Sequence, residues 1–218
     1  MLYVNNILRF LSTIAEQVIT YDCNLPPEQT FVCASDSAFC DQVESKSTVG
    51  WVCMLAGAAW TWGQEAAEGL SSTEVEYKGG AAICKQVLYA RKLFKDFRLA
   101  FPQPCTVLED NMGMIALAAG PQAHHQRTKH IDVKYHMQRK LLFDGIVRYQ
   151  HQDTHHMFAD LLTKVLGREL FQRHFQVLYG DVPIQIHCRK LPESTNVYVQ
   201  RHNQELANVH KQKELSAA

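Results

Sequence analysis

Leu70-Ser71-Ser72-Thr73-Glu74-Val75-Glu76-Tyr77 opens the longest helix legible in this 218-residue chain and sets two glutamates two positions apart at its start. Ser71 as N-cap with Glu74 three residues on forms a capping box, and Leu70 with Val75 fits a hydrophobic staple. The helix is predicted to run to about Phe97. Ile83, Val87, Ala90, Phe94 and Phe97 recur at helical spacing and form one stripe facing a core. Glu74 is expected to point off that stripe, toward solvent and Lys78, its i+4 partner. Glu76 stacks above Gly80, Ile83 and Val87 and so falls on the buried stripe. A carboxylate facing a core needs a partner, because an unpaired buried charge is costly. Backbone groups or a lysine could satisfy Glu76, or it could serve catalysis or bind a metal. This stretch alone leaves both open.

A hydrophobic fraction of 46% supports a real core, and Lys+Arg and Asp+Glu balance at 22 each. The local distribution is less even. From His124 to Lys140 there are five basic residues (Arg127, Lys129, Lys134, Arg139, Lys140) against Asp132 alone, with four histidines. Such a patch on an otherwise acidic body suits phosphate binding, or is simply a solvated basic helix face. The seven cysteines form no CxxC pair and several lie in apolar runs. They read as reduced thiols of an intracellular protein. Residues 1–11 lack the basic start and long apolar run of a secretory leader, and no window has the length of a membrane span.

Along the chain, Asn6 to Tyr21 reads as a short helix and Asp22 to Gln29 as a connector containing Pro26-Pro27. Thr30 to Asp36 alternates as a strand. Thr48 to Leu55 and Ala58 to Trp62 form a hairpin around Gly57. After the long helix come a strand at Cys105 to Asp110, a helix at Asn111 to Ala119 and another at Ile131 to Phe143. A strand at Ile146 to His151 follows, then a helix from Thr154 to Leu178 bent near Gly167. The first three strands are expected to be antiparallel neighbours. The later two, reached through helices, run parallel to the first. The expected organisation is a connecting helix and linker over 1–29, an α/β domain over 30–180 and a loose tail over 181–218.

Asp36 and Asp110 both fall at the carboxyl ends of strands, the edge where α/β sheets place their sites. Glu76 lies on the first turn of the covering helix, and Asp160 sits near the start of the last one. Carboxylates brought together repel unless a cation binds them, and Mg²⁺ with oxygen ligands is the natural candidate. Two ions about 3.5–4 Å apart can clamp the attacking and leaving oxygens of phosphodiester hydrolysis. A zinc site at His151, His155, His156 and Asp160 is the weaker alternative, since the spacing matches no common site. One of those histidines could instead assist product release near Asp160. Trp51, Trp60 and Trp62 read as hairpin packing, with stacking on a substrate as the alternative.

Five segments in order carry a resemblance: Ala34-Ser35-Asp36-Ser37, Leu70 to Tyr77, Glu109-Asp110-Asn111, Arg127-Thr128-Lys129-His130-Ile131-Asp132-Val133-Lys134-Tyr135-His136, and Ala159-Asp160-Leu161-Leu162-Thr163-Lys164. Together they resemble the ribonuclease H domain of copia-type LTR retrotransposon polyproteins, from about Ile7 to Leu178. The resemblance implies a ribonuclease H-like fold, a five-stranded mixed sheet flanked by helices. It implies two Mg²⁺ ions, with Mn²⁺ as an alternative, held by Asp36, Glu76, Asp110 and Asp160 as catalytic carboxylates. The substrate would be the RNA strand of an RNA–DNA hybrid, recognised by shape and 2′-hydroxyl contacts. Arg127, Lys129, His130, Lys134 and Arg139 would grip its backbone. Former partners would be the reverse transcriptase and integrase of the same polyprotein. No membrane is involved, and the location would be a cytoplasmic virus-like particle or the nucleus, not the exterior.

Some positions depart from the pattern. Ala38 and Phe39 stand where an acid and a Trp are usual, Gly63 to Glu68 lacks the usual basic residues, and Gly79-Gly80 interrupts the long helix. Nothing resembling a reverse transcriptase or integrase precedes the domain here. These departures read as signs of a degraded element and support the alternative of an inactive relic or hybrid-binding module.

Overall fold

The alternation in Phe31-Val32-Cys33-Ala34 is what builds two cores in this protein, one on each face of a central strand. The computed structural model describes residues 2–40, 46–102, 104–120 and 137–186. The elements are α1 (Leu2–Thr13), α2 (Pro27–Thr30), β1 (Phe31–Ala38), β2 (Ser47–Leu55), β3 (Ala58–Ala67), α3 (Ser72–Asp96), β4 (Cys105–Glu109), α4 (Met112–Ala119), α5 (Met137–Phe143), β5 (Val147–His151) and α6 (Arg168–Tyr179). Short 3₁₀ turns occupy Thr154–His156 and Phe158–Leu162.

The sheet order is β3-β2-β1-β4-β5. β1, β2 and β3 are successively antiparallel, and β4 and β5 run parallel to β1. This is the ribonuclease H-like mixed sheet expected from the resemblance. β2 and β3 turn through Ala56 and Gly57, both at positive φ (48° and 85°), as a tight hairpin with the right-handed strand twist requires. Phe31 and Cys33 pack with Tyr77, Ile83, Val87, Val107, Met114 and Leu141 beneath α3, α4 and α5. Val32 and Ala34 pack with Met54, Leu108, Met157, Phe158 and Val177 on the opposite face. Helix α1 attaches through Phe10, edge-on to Phe171 and Phe175 of α6. Among the described residues, no helix is long and apolar enough to cross a membrane.

The start of α3 forms the expected cap, with corrections. Ser71 Oγ accepts from Glu74 N at 3.2 Å, and Glu74 Oε2 accepts from Leu70 N at 2.9 Å. Glu74 is buried rather than at solvent, and pairs with Lys78 at 2.7 Å. The staple is absent. Leu70 is 79% exposed, while Val75 turns fully inward. Further along, the helix expected over Thr154 to Leu178 is divided. Asp153 Oδ1 caps the first turn by accepting from His155 N at 3.0 Å. Backbone bonds then run to the third residue back (Asp160 N to Met157 O at 3.1 Å), a tighter coil that lays Met157, Phe158 and Ala159 on the sheet. α6 starts afresh after Gly167. Part of the expected tail also packs. Val182, Ile184 and Ile186 contact the second core, and Gln152 Nε2 donates to Gln185 O at 2.7 Å. Residues 187–218 lie outside the described residues.

Gly79 and Gly80 have a packing reason, which replaces their reading as signs of decay. A methyl group on Gly79 would come within 3.1 Å of Ser37 Oγ. Gly80 faces Met114, Gln138 and Tyr149 with no room for a side chain. There Tyr149 Oη donates to Gln138 Oε1 at 2.6 Å, and Gln138 Nε2 donates to the Tyr77 carbonyl at 2.8 Å, a buried network pressed against the helix backbone. Alanine would gain about 1 kcal/mol of helix propensity. Overpacking of this kind costs about 1–3 kcal/mol. Gly80→Ala is therefore expected to lower stability by up to about 2 kcal/mol in urea unfolding, and a stabilised variant would refute this account.

Candidate metal centre

Asp36 and Asp110 become neighbours because β1 and β4 are adjacent and parallel, with Ala34 in register with Leu108. Asp36 lies two residues beyond that pair, and Asp110 directly follows β4. Asn111 then caps α4, its Oδ1 accepting from Met114 N at 3.0 Å, which fixes the chain just beyond Asp110. Glu76 descends from α3 onto the same edge. Carboxylate oxygens of Asp36, Glu76 and Asp110 lie within 4.8 Å of one another. Glu76 is only 6% exposed, and its Oε2 has no hydrogen-bond partner. Thr154 Oγ1 donates to Asp110 Oδ2 at 3.0 Å.

Asp160 joins the cluster through a lysine. Lys164 Nζ lies 3.0 Å from Asp36 Oδ1 and 2.9 Å from Asp160 Oδ1. Thr163 Oγ1 donates to Asp36 Oδ2. Asp36 thus receives two donors from one short turn. That turn can approach because the residue paired with Asp36 across the sheet is Gly50. A methyl group at Gly50 would lie 2.7 Å from Leu162 Cβ and 2.8 Å from Thr163 Cγ2. Gln64 Nε2 pins the same turn by donating to Leu162 O at 2.8 Å.

The electrostatics follow from this crowding. Burial first, then Asp36 and Asp110, raise the Glu76 carboxyl to about 9, with the Ser37 hydroxyl and Lys164 opposing. Burial and Asp36 raise Asp160 to about 7 against the pull of Lys164. Burial and Asp36 also raise Asp110, while Lys164 and Thr154 lower it. For Lys164, burial disfavours the charge, but Asp36 and Asp160 outweigh it and hold the ammonium above its usual range.

A fifth carboxyl, Glu109, lies beneath the cluster. It is fully buried, accepting from Ser35 Oγ at 3.1 Å and from Asn111 N at 3.2 Å. Burial, then Glu76 and Asp110, push it well above the usual carboxylate range. Sequence reasoning gave no role to Glu109, Lys164, Thr163 or Gly50. Strand alternation was a usable signal for Glu109, since it puts that residue with Val107 on the α3 face, where a charge stands out.

Of the expected backbone-gripping residues, Arg127, Lys129, His130 and Lys134 lie outside the described residues. Arg139 is corrected. It is 8% exposed, and its Nη2 donates to Leu117 O at 2.6 Å, so it ties α5 to α4 rather than facing a substrate. Among the described residues, the histidines at 151, 155 and 156 enter no metal-ligand group, and the group that does form is the carboxylate one. Trp60 packs edge-on to Phe31 and stacks on Tyr89, whereas Trp62 is exposed.

No protein-family model matches the chain. It is 33% identical over 134 residues to the retrovirus-related Pol polyprotein from transposon RE1 of Arabidopsis thaliana, covering 61% of this chain and 9% of that protein. It is 32% identical over 144 residues to the corresponding RE2 polyprotein, covering 65% and 10%. Against that of transposon TNT 1-94 of Nicotiana tabacum it is 30% identical over 129 residues, covering 58% and 10%. Its homologues are copia-type Pol polyproteins. The chain spans about a tenth of the length of these Pol relatives. Together with the sheet order, the Pol relationship supports a ribonuclease H domain. Two solved structures are similar at low identity. The N-terminal RNase H domain of rv2228c from Mycobacterium tuberculosis has TM-score 0.44 and 16% identity, over 67% of this chain and 96% of that one. The protease-reverse transcriptase of prototype foamy virus has TM-score 0.42 and 13% identity, over 72% and 21%.

Two outcomes are expected of this site. Between the ordinary carboxyl value near 4.5 and about 9, folded Glu76 keeps a proton that the unfolded chain has lost. The folded state then binds more protons, so stability falls as pH rises through that window. Thermal melts in a metal chelator from pH 5 to 9 should show the fall, and Glu76→Gln should reduce it, leaving the part that Asp160 and Glu109 contribute. A wild-type profile that is flat or rising would contradict the described burial. Separately, Gly50→Ala should cost about 1–3 kcal/mol, because the Leu162-Thr163 backbone must shift. Equal melting of wild type and variant would exclude that role.

Proposed function

We propose that this domain is a metal-dependent endonuclease that hydrolyses the RNA strand of RNA–DNA hybrids. The observation that carries the reading is the convergence of Asp36, Glu76 and Asp110 with an unpartnered, buried Glu76 oxygen among them. The donor set fits a hard divalent cation, since all three donors are carboxylate oxygens. At about 2.1 Å from a central ion, oxygens on adjacent octahedral corners lie about 3 Å apart and on opposite corners about 4.2 Å. Three donors include at least two adjacent pairs, so oxygens at the 4.8 Å limit would close by up to about 1.8 Å to meet that geometry, a shift within reach of side-chain rotation. Mg²⁺ or Mn²⁺ would suit it.

A divalent cation held there supplies Lewis acidity toward a phosphodiester and makes nearby water a better nucleophile. The chain's own residues do the rest. Asp36, Glu76 and Asp110 bind and orient. Thr154 and Thr163 fix the rotations of Asp110 and Asp36 through hydroxyl donors. Lys164 places a positive charge on the exposed side of the cluster, where a phosphate would arrive. Hybrid as the substrate is supported by the copia-type Pol relationship and the ribonuclease H-like sheet.

The test is cleavage of a labelled RNA–DNA hybrid with Mg²⁺ or Mn²⁺, with duplex DNA as the control. Asp110→Asn should lower the rate by about a thousandfold, corresponding to about 4 kcal/mol of transition-state stabilisation. If the wild type cuts no hybrid with either ion, the nuclease reading falls. A hybrid-binding measurement then distinguishes a binding module from an inert relic.

A further inference from the structure

The three-oxygen group leaves out Asp160, although that residue lies on the same edge of the sheet. What separates Asp160 from Asp36 is the Lys164 ammonium, 2.9 Å from one carboxylate and 3.0 Å from the other. A second divalent ion bridging those carboxylates would need the space that Nζ fills.

Several features hold the ammonium there. Lys164 and Asp160 are four residues apart on one turn, and Lys164 N donates to Asp160 O at 2.9 Å. The turn is seated against Gly50 and tied by Gln64. Thr163, the preceding residue, donates to the other oxygen of Asp36. Nζ is thus the end of a built arrangement, and the side chain is 35% exposed, open to an incoming anion on one side.

We infer that Lys164 takes the place of a second metal ion: the centre holds one divalent cation on Asp36, Glu76 and Asp110, and the Lys164 ammonium, between Asp36 and Asp160, is the second positive charge. The further step, that this charge faces the scissile phosphate, rests on the nuclease reading above. The stoichiometry does not. Asp160 is then a positioning residue that aims Lys164, rather than a metal ligand. The expectation of two ions on four carboxylates becomes one ion on three.

The experiment counts bound Mn²⁺ on the full-length chain by calorimetry and electron paramagnetic resonance, for wild type, Lys164→Ala and Lys164→Arg. Circular dichroism melts check folding of each. The wild type and Lys164→Arg should bind one equivalent with an isolated-ion spectrum. Lys164→Ala should bind two, with the spin coupling of ions about 4 Å apart. Two equivalents on the wild type, none on the wild type, or one on a folded Lys164→Ala would each overturn the inference. The hybrid assay keeps the two readings apart. Two ions with cleavage would overturn the lysine substitution and leave the nuclease standing. One ion without cleavage would support the substitution and remove the nuclease.

Discussion

Like-charge repulsion at the end of β1 is the constraint that the rest of this fold answers. Asp36, Glu76 and Asp110 are drawn together by elements whose apolar faces leave them no other place to go. Four further contributions lessen the cost. Lys164 supplies a charge, Thr163 and Thr154 supply donors, and Glu109 stays in a pocket that favours its neutral form. A bound cation would complete the compensation. The carboxylates whose mutual repulsion weakens the fold are therefore the ones through which a bound cation would strengthen it, since binding only the folded state adds stability by mass action.

Small residues do much of the positioning. Gly50 lets a turn lie on the sheet opposite Asp36, and Gly79-Gly80 lets α3 lie on β1 and on the Gln138–Tyr149 network. The helix that delivers Glu76 sits close because its backbone does. The order of the site is thus set by backbone approach distances as much as by the acids themselves.

Much of this was legible before the structure. Period-two alternation located β1 and β4; Asp110 falls directly after β4 as read, whereas β1 runs two residues past Asp36, the end read for it, to Ala38. The apolar stripe of α3 separated Glu76 from Glu74, although the prediction that Glu74 faces solvent failed because Lys78 and the Leu70 amide bury it as a pair. Asp160 rested on resemblance, since its 3₁₀ turn has no periodic signal and was read as part of a long helix. Gly50 could not be found locally, because what it accommodates comes from a turn more than a hundred positions away. Arg139 looked like surface because it is charged, yet its α5 is short and packed on α4, where a carbonyl receives it.

The contact between Thr163 and Asp36 spans 127 positions. Closing so long a loop carries an entropic cost that its contacts must repay. Until it closes, the sheet and α3 can assemble but leave their acids facing one another uncompensated. The last turn therefore latches the acids of distant elements to one another. A cation drawn to Asp36, Glu76 and Asp110 would ease the same repulsion that Lys164 eases from the other side.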